Sequence, residues 1–168
     1  NIIEYKNGAD LFLNDQIETQ TLPAEGDAYG FEGTLKKAKG LWKGEVNYTY
    51  SRSQRKTTSK FNRENIRGGK RFPANYDRPH SLNFNVSRGL GKKWDASLFF
   101  TYQTGRPTTP AVGQFKVGNN GSFLVYADRN SYRLPDLHRM DLSFTYTPNR
   151  KPNRRWKGSW AFGIYNLY

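Results

Sequence analysis

Apolar and polar residues alternate along several stretches of this chain. Between Trp94 and Tyr102 the even positions are aromatic or aliphatic, whereas the odd positions are polar apart from Phe99. A period of two is that of a β-strand with one apolar and one polar face. The pattern predicts six amphipathic strands, and β-branched residues before Tyr5 predict a seventh that ends there. The six segments with this period are 29–35, 42–50, 81–87, 94–102, 140–146 and 156–164.

The connections between these strands alternate in length. Three are short, at 38–41, 88–93 and 148–155, and two are long, at 53–78 and 104–138. Transmembrane β-barrels combine tight periplasmic turns with long extracellular loops, whereas soluble domains rarely contain two loops well beyond about 15 residues. The alternation therefore favours a membrane barrel over a soluble antiparallel sandwich, which would show the same period of two. It also places the short turns in the periplasm and the long loops outside.

Aromatic residues on the apolar faces lie at both ends of the predicted strands. Tryptophans open the strands that leave short turns, and tyrosines lie at the opposite ends. Indole and phenol rings prefer a membrane–water interface, although packing in an ordinary core is the alternative. We predict two rows of membrane-interface aromatics, with Trp42, Trp94 and Trp156 in one row and Tyr48, Tyr50 and Tyr102 in the other.

The charge of the chain first suggests an anionic partner. Its 168 residues include 27 Lys and Arg against 14 Asp and Glu, a formal charge of +13, which would attract nucleic acid or an anionic lipid surface. The basic residues are concentrated in turns and loops at both ends of the strands, so a barrel would have no single basic stripe, and we expect no nucleic-acid partner. A mean hydropathy of −0.90 argues against membrane helices but cannot detect a barrel, whose two faces cancel.

Residues for catalysis or metal binding are scarce. The chain has no cysteine, which excludes disulfides and thiolate metal sites. His80 follows Arg78–Pro79 and His138 precedes Arg139, each at the start of a predicted strand. No carboxylate lies at a metal-ligand spacing from them, so polar loop-base roles are favoured. No nucleophile elbow or phosphate-cradling glycine loop is present. We therefore predict no catalytic residue, no metal, no cofactor and no enzymatic activity.

The two long loops are the predicted site of ligand contact, because function concentrates on loops held by a rigid scaffold. They interleave aromatic rings with guanidinium and ammonium groups. Such pairs suit sugars, peptides or anionic chelates, and they suit lipopolysaccharide phosphates equally well. The candidate ligand-contact residues are Arg63, Arg67, Phe72, Tyr76, Arg106, Phe123, Tyr126 and Arg129.

Six strings follow one another along nearly the whole chain and coincide with the predicted strand ends. They are NIIEYKNGADLFLNDQIETQ at 1–20, AYGFE at 28–32, YDRPHSL at 76–82, TGRP at 104–107, RLPDLHRMDL at 133–142 and FGIYNLY at 162–168. In this order and spacing they resemble the last strands of TonB-dependent outer-membrane receptors, especially those of Bacteroidetes.

This resemblance implies a fold, a location and an activity. Such receptors form a 22-stranded barrel around an N-terminal plug, lie in the outer membrane among lipids and lipopolysaccharide, and import bulky nutrients with energy supplied through TonB, ExbB and ExbD. The nutrient class stays open among glycans, peptides and metal chelates. A SusD-like surface lipoprotein, found with one branch of the family, is a further candidate partner.

On this interpretation residues 1–168 are the C-terminal portion of a barrel domain, an antiparallel transmembrane β-barrel represented by its last six or seven strands, without the plug. The chain opens on Asn1 rather than methionine, which fits a processed or incomplete piece. Two other functions stay open. A receptor-like barrel could act as a structural or assembly component of an outer-membrane complex, or a soluble basic β-protein could bind polyanions.

Overall fold

The structure, a computed structural model, describes residues 2–6, 16–116, 121–148 and 158–168. Within these ranges it is built mainly of β-strands, with short 3-10 helices at Ile17–Gln20, Asn62–Glu64 and Ile66–Gly69. None of the helices in the described ranges is long and apolar enough to cross a membrane. The strands are β1 (Ile2–Tyr5), β2 (Thr21–Lys37), β3 (Trp42–Thr57), β4 (Phe72–Pro73), β5 (His80–Leu90), β6 (Trp94–Gln103), β7 (Pro107–Thr108), β8 (Ala111–Lys116), β9 (Ser122–Tyr126), β10 (Tyr132–Arg133), β11 (Leu137–Tyr146) and β12 (Trp160–Ile164).

One large sheet has the strand order β1-β2-β3-β5-β6-β11-β12, with β4 paired to β3. From β3 to β12 each strand pairs antiparallel with the next in that order. Two small sheets, β7 with β10 and β8 with β9, form within the second long connection. The six predicted amphipathic strands and the seventh ending at Tyr5 are thereby confirmed in the part of the chain that the structure describes.

The long connections contain more structure than the sequence predicted. The first was predicted to be a loop from residue 53, but β3 continues to Thr57 because Gln54 and Arg55 pair with Pro73 and Phe72 of β4. The short connection predicted at 88–93 is tighter than expected, because β5 continues to Leu90. Most of the third short connection, including Trp156, lies outside the described residues.

The chain divides into two compact units. The first, called the wall unit, comprises Gly30–Tyr50, Pro79–Thr104 and Asp136–Tyr168. The second, called the loop unit, comprises Asn1–Tyr29, Ser51–Arg78 and Gly105–Pro135. Both predicted long connections fall almost entirely in the loop unit, so they form an ordered body of their own.

The strand register of the wall unit keeps its two faces distinct. Because the side-chain period is two, a slip of one residue would exchange the faces of a strand. Strands β5, β6 and β11 have 11, 10 and 10 residues, close to the 9–11 or so that a tilted transmembrane strand needs. The partners that build the apolar face are Val46 with Phe84, Phe84 with Phe100, Phe100 with Met140, Val86 with Leu98, Leu98 with Leu142, and Leu142 with Ile164.

The loop unit has a small core. Its buried hydrophobic side chains are Leu22, Ala24, Phe72 and Ala74. Four polar residues are also buried there: Glu4, Thr57, Asp77 and Asn130. Since a buried polar group is costly unless it is hydrogen-bonded, this core depends on the polar partners described below.

Gly105 permits the closest backbone approach in the loop unit. A Cβ at this position would overlap the carbonyl oxygen of Leu134 and lie 2.8 Å from that of Pro135. Backbone atoms cannot rotate aside as a flexible side chain can. We therefore expect Gly105→Ala to lower the free energy of unfolding by about 1–3 kcal/mol. Chemical denaturation of the folded protein, followed by a probe attached to the loop unit, measures this loss.

Gly113→Ala is the matched control for this substitution. A Cβ at Gly113 would meet the Cβ of Val125 at 3.8 Å, an ordinary van der Waals distance. We expect the control variant to retain the stability of the parent protein to within about 0.5 kcal/mol. Equal losses in the two variants would show that the approach at Gly105 is not what limits its replacement.

Candidate functional site

The apolar face of the wall unit is open to its surroundings. Leu35, Trp160 and Phe162 are 76%, 67% and 56% exposed, and the buried hydrophobic residues of the described chain all lie in the loop unit. Soluble monomers rarely expose a contiguous apolar surface of more than a few hundred Å². A sheet of this kind therefore needs an apolar environment along one face, and hydrocarbon provides one.

One row of aromatic side chains lies at the end of the wall unit that carries the short turns. The guanidinium carbon of Arg88 lies 4.9 Å from the ring centroid of Trp42, and the rings of Trp94 and Tyr146 are 4.8 Å apart. An amphipathic ring beside a cation suits the polar boundary of a bilayer. The interface role of Trp42 and Trp94 stays a prediction, and Trp156 lies outside the described residues.

A second row lies at the opposite end of the wall strands. The hydroxyl of Tyr48 and Nδ1 of His80 are 2.8 Å apart, and the Tyr50 ring centroid lies 5.4 Å from that of His80. The hydroxyl of Tyr102 donates to Asp136 at 2.5 Å. The three rings are half-buried, and the hydroxyls of Tyr48 and Tyr102 have polar partners, a combination that suits an interface. The interface role of these tyrosines also stays a prediction.

The two histidines take polar partners in this second row. His80 contacts Tyr48 as described, and Nδ1 of His138 lies 2.7 Å from the hydroxyl of Tyr168. Among the described residues, no group of three or more His, Cys, Asp or Glu side chains could hold a metal ion. The loop-base role suggested by the sequence therefore has an adequate physical basis in tyrosine contacts.

The opposite face of the wall unit is lined with small polar side chains. Ser97 lies in register with Ser87 and Ser143, two positions away from Phe99 on the same face. Phe99, the exception in the sequence pattern, lies between Asn85 and Asp141 and is 37% exposed. These residues line a shallow depression of about 270 Å³. A hydroxyl-rich surface of this kind suits a wet interior rather than lipid.

In the loop unit, Arg133 joins three segments that are distant in sequence. Its Nη2 donates to Asp77 Oδ2 at 2.6 Å, and its Nη1 donates to the carbonyl oxygens of Asp77 and Gly105 at 2.7 and 2.8 Å. The Asp77 carboxylate, only 1% exposed, also accepts the backbone N–H of Ser53 at 2.7 Å and lies 3.6 Å from Arg52. We call Asp77, Gly105 and Arg133 the junction cluster.

A second buried carboxylate ties β1 to the loops. Glu4 is 6% exposed and forms ion pairs with Arg55 at 2.6 Å and Arg129 at 2.9 Å. The other terminal nitrogen of Arg129 donates to the backbone carbonyls of Tyr5 and Lys6, both at 2.9 Å. Burial opposes the charge of Arg55, but the hydrogen bonds and charge interactions with Glu4 and Tyr76 together outweigh this and raise the pKa of Arg55 above its usual value. Each of the three charged groups, Glu4, Arg55 and Arg129, therefore has a partner of opposite charge.

Two of the predicted ligand-contact residues make contacts within the protein itself. Phe72 is only 1% exposed, so its side chain belongs to the core of the loop unit and presents no surface to a ligand. Arg129 is committed to Glu4 and to two backbone carbonyls. Ligand contact by these two residues stays a prediction, since an aromatic or an arginine in a loop has no local mark of its packing or ion pairs.

The other predicted contact residues are more accessible. Tyr76 is 64% exposed, and the Arg55 guanidinium lies 5.5 Å from its ring centroid; hydrogen bonding to Ser53 and then to Arg55 lowers the pKa of the phenol. Arg67 lies 3.7 Å from Asp128. Ligand contact stays a prediction for these residues. The remaining candidates are exposed: Arg63 in the 3-10 helix at 62–64, Arg106 next to Gly105 of the junction cluster, and Phe123 and Tyr126 on β9.

A family described as TonB dependent receptor-like, beta-barrel, matches residues 2–167 of this sequence. The chain belongs to the TonB-dependent receptor family. Comparison with curated proteins and with solved structures found no match. Membership confirms the resemblance seen in the sequence, and with it an antiparallel transmembrane β-barrel fold, an outer-membrane location and a general role in outer-membrane transport or reception. The family comprises transporters and receptors rather than enzymes, and it implies coupling to the TonB system.

In this TonB-dependent receptor barrel, the strings that carried the resemblance meet in one place. Asp77 belongs to YDRPHSL, Gly105 to TGRP and Arg133 to RLPDLHRMDL, and together they form the junction cluster. The sequence did not predict this contact. The signal that it offered is a charged residue one or two positions before proline in each of the three strings: Asp77–Arg78–Pro79, Arg106–Pro107 and Arg133–Leu134–Pro135.

Proposed function

We propose that this chain contributes to an active importer of a bulky nutrient, a glycan, a peptide or a metal chelate, with transport energised through TonB, ExbB and ExbD. The observation that carries the proposal is the loop unit. Its segments fold into a body with a core and two buried ionic clusters, which presents accessible basic and aromatic side chains. A preorganised surface binds a ligand with less ordering cost than free loops would.

We place the two long connections on the extracellular side, the short connections on the periplasmic side, and the apolar face of the wall unit against lipid and lipopolysaccharide. The polar face then lines the lumen. The alternation of short and long connections supports this orientation. The soluble polyanion-binding alternative does not fit a chain of an outer-membrane family.

One observation favours a second function, in which the barrel is a structural or assembly component of an outer-membrane complex. The hairpin of β8 and β9 exposes Val112, Phe123 and Leu124, at 65%, 55% and 52%. Exposed apolar surface of this kind marks protein contacts as often as ligand contacts. A SusD-like surface lipoprotein is one candidate occupant of such a surface.

Uptake by intact cells separates these two functions. Cells that display the full-length receptor are offered labelled oligosaccharides, peptides and ferric chelates, with and without a protonophore. We expect accumulation of one pool that depends on the receptor and stops when the proton gradient collapses. A correctly inserted receptor that accumulates none of the pools, and that copurifies at fixed stoichiometry with another outer-membrane component, would instead establish the structural role.

A further inference from the structure

A short turn in the loop unit presents several unpaired cations. Residues 59–70, called the basic turn, include the exposed side chains of Lys60, Arg63 and Lys70. In the part of the chain that the structure describes, none of these three forms an ion pair. Phe61, between the first two, is 71% exposed.

The basic turn is held by its own hydrogen bonds. Asn65 accepts the backbone N–H of Ser59 at 2.8 Å and donates to the Ser59 carbonyl at 3.2 Å. The N–H of Ile66 donates to the Thr57 hydroxyl at 2.9 Å. A Cβ at Gly69 would lie 3.9 Å from that of Asn65, so the chain returns to the turn just before Lys70. The three cations therefore extend from a preformed scaffold.

The carboxylates near the basic turn are already occupied. Glu64 accepts the Ser59 hydroxyl at 2.8 Å and pairs with Lys6 at 3.1 Å, and these contacts lower the pKa of its carboxyl group. Asp27 pairs with Arg71, and Asp128 with Arg67. Among the described residues, no carboxylate therefore neutralises Lys60, Arg63 or Lys70.

We infer that the basic turn is a binding site for phosphate groups carried on sugars. A phosphate monoester has nearly two negative charges at neutral pH and three acceptor oxygens, which matches several ammonium and guanidinium groups on one short turn. The exposed ring of Phe61 offers an apolar face against which a sugar ring can pack. This inference rests on the proposed function, since it requires the turn to face the outside.

Sugar-linked phosphate can reach the turn from two sources, a phosphorylated saccharide in solution or the lipid A headgroup of the outer leaflet. Two probes separate them: glucosamine 6-phosphate with the detergent-solubilised full-length receptor, and nanodiscs of phosphatidylcholine with or without lipid A. Isothermal titration measures the first, and retention of lipid A during purification from the nanodiscs measures the second.

The decisive variant is the triple substitution K60Q/R63Q/K70Q. Its matched control, K37Q/K39Q/K92Q, removes three positive charges from exposed positions in the wall unit, at the end of β2 and in two short turns. We expect the first variant to weaken the binding of at least one phosphate probe about a hundredfold, and the control to weaken it less than threefold. Rising salt should weaken binding to the parent protein. Heat-modifiable gel mobility shows that each variant is folded.

The outcomes are distinct. Loss confined to the soluble probe assigns the turn to cargo, and loss confined to lipid A assigns it to the membrane. Equal loss in both triple variants, no loss in either, or no binding of either probe to the parent protein would overturn the assignment. Phosphate binding without energised uptake would refute the importer alone, whereas uptake without phosphate binding would refute this site alone.

Discussion

Replacing Asp77 by alanine is expected to open the loop unit. The change removes a buried carboxylate from Arg133 and Arg52 and leaves the N–H of Ser53 without its acceptor. Arg133 and Arg52 keep 29% and 34% of their side-chain surface exposed, so water can partly solvate the charges that are left behind. We therefore expect a loss of about 1–3 kcal/mol, the cost of leaving hydrogen-bond donors without their acceptor. A loss of that size raises the population of the open loop roughly 5- to 150-fold. Trypsin cleavage of the basic loop segments under native conditions reports this population.

Two further variants show whether charge is the cause. Asp77→Asn keeps an oxygen that can accept the Ser53 N–H but removes the negative charge, so its cleavage rate should lie between those of the parent protein and Asp77→Ala. Asp128→Ala removes a carboxylate that is 70% exposed and 3.7 Å from Arg67. Exposed ion pairs contribute little, so cleavage should scarcely change. Rapid cleavage of the Asp128 variant would mean that any lost carboxylate loosens the unit.

Leu98→Arg is expected to impair insertion of the barrel into a bilayer. Leu98 lies in the middle of β6, between Val86 and Leu142 on the apolar face. An arginine at the bilayer midplane on the lipid-facing side costs roughly 2–4 kcal/mol, and the leucine contacts are lost as well. Reversible unfolding of the full-length receptor in lipid vesicles, titrated with urea, measures the difference.

The neighbouring position provides the control. Ser97→Arg adds the same side chain one residue earlier, where the strand faces Ser87 and Ser143 on the polar face. We expect its loss to be well below that of Leu98→Arg. If Ser97→Arg is the more damaging substitution, the apolar face of the wall unit is not the face that meets lipid.

The strands could be predicted from sequence because their information is local. A period of two is visible within nine residues, as at 94–102, and the apolar face it defines is the face that the register preserves across β3, β5, β6, β11 and β12. The antiparallel arrangement followed from the short connections. The fold of the wall unit could therefore be predicted from the sequence alone.

The loop unit could not be predicted in the same way, because its contacts are remote in sequence. Arg133 and Asp77 are 56 positions apart, and Arg129 and Glu4 are 125 apart. No short stretch of sequence contains both members of either pair. A charged loop residue that becomes buried has no local sequence feature that distinguishes it from an exposed one. For the same reason Phe72 was taken for a ligand contact, although its position opposite Arg55 places it in a core.

The separation of 125 positions between Glu4 and Arg129 also bears on how such a protein is assembled. Closing so long an interval is a late event in folding, because the entropy of the intervening chain must be lost before the contact contributes any stability. In the proposed orientation, we expect the polar segments to reach the far side of the membrane before these remote ion pairs form. Each segment would then cross without the partner that later neutralises its charge.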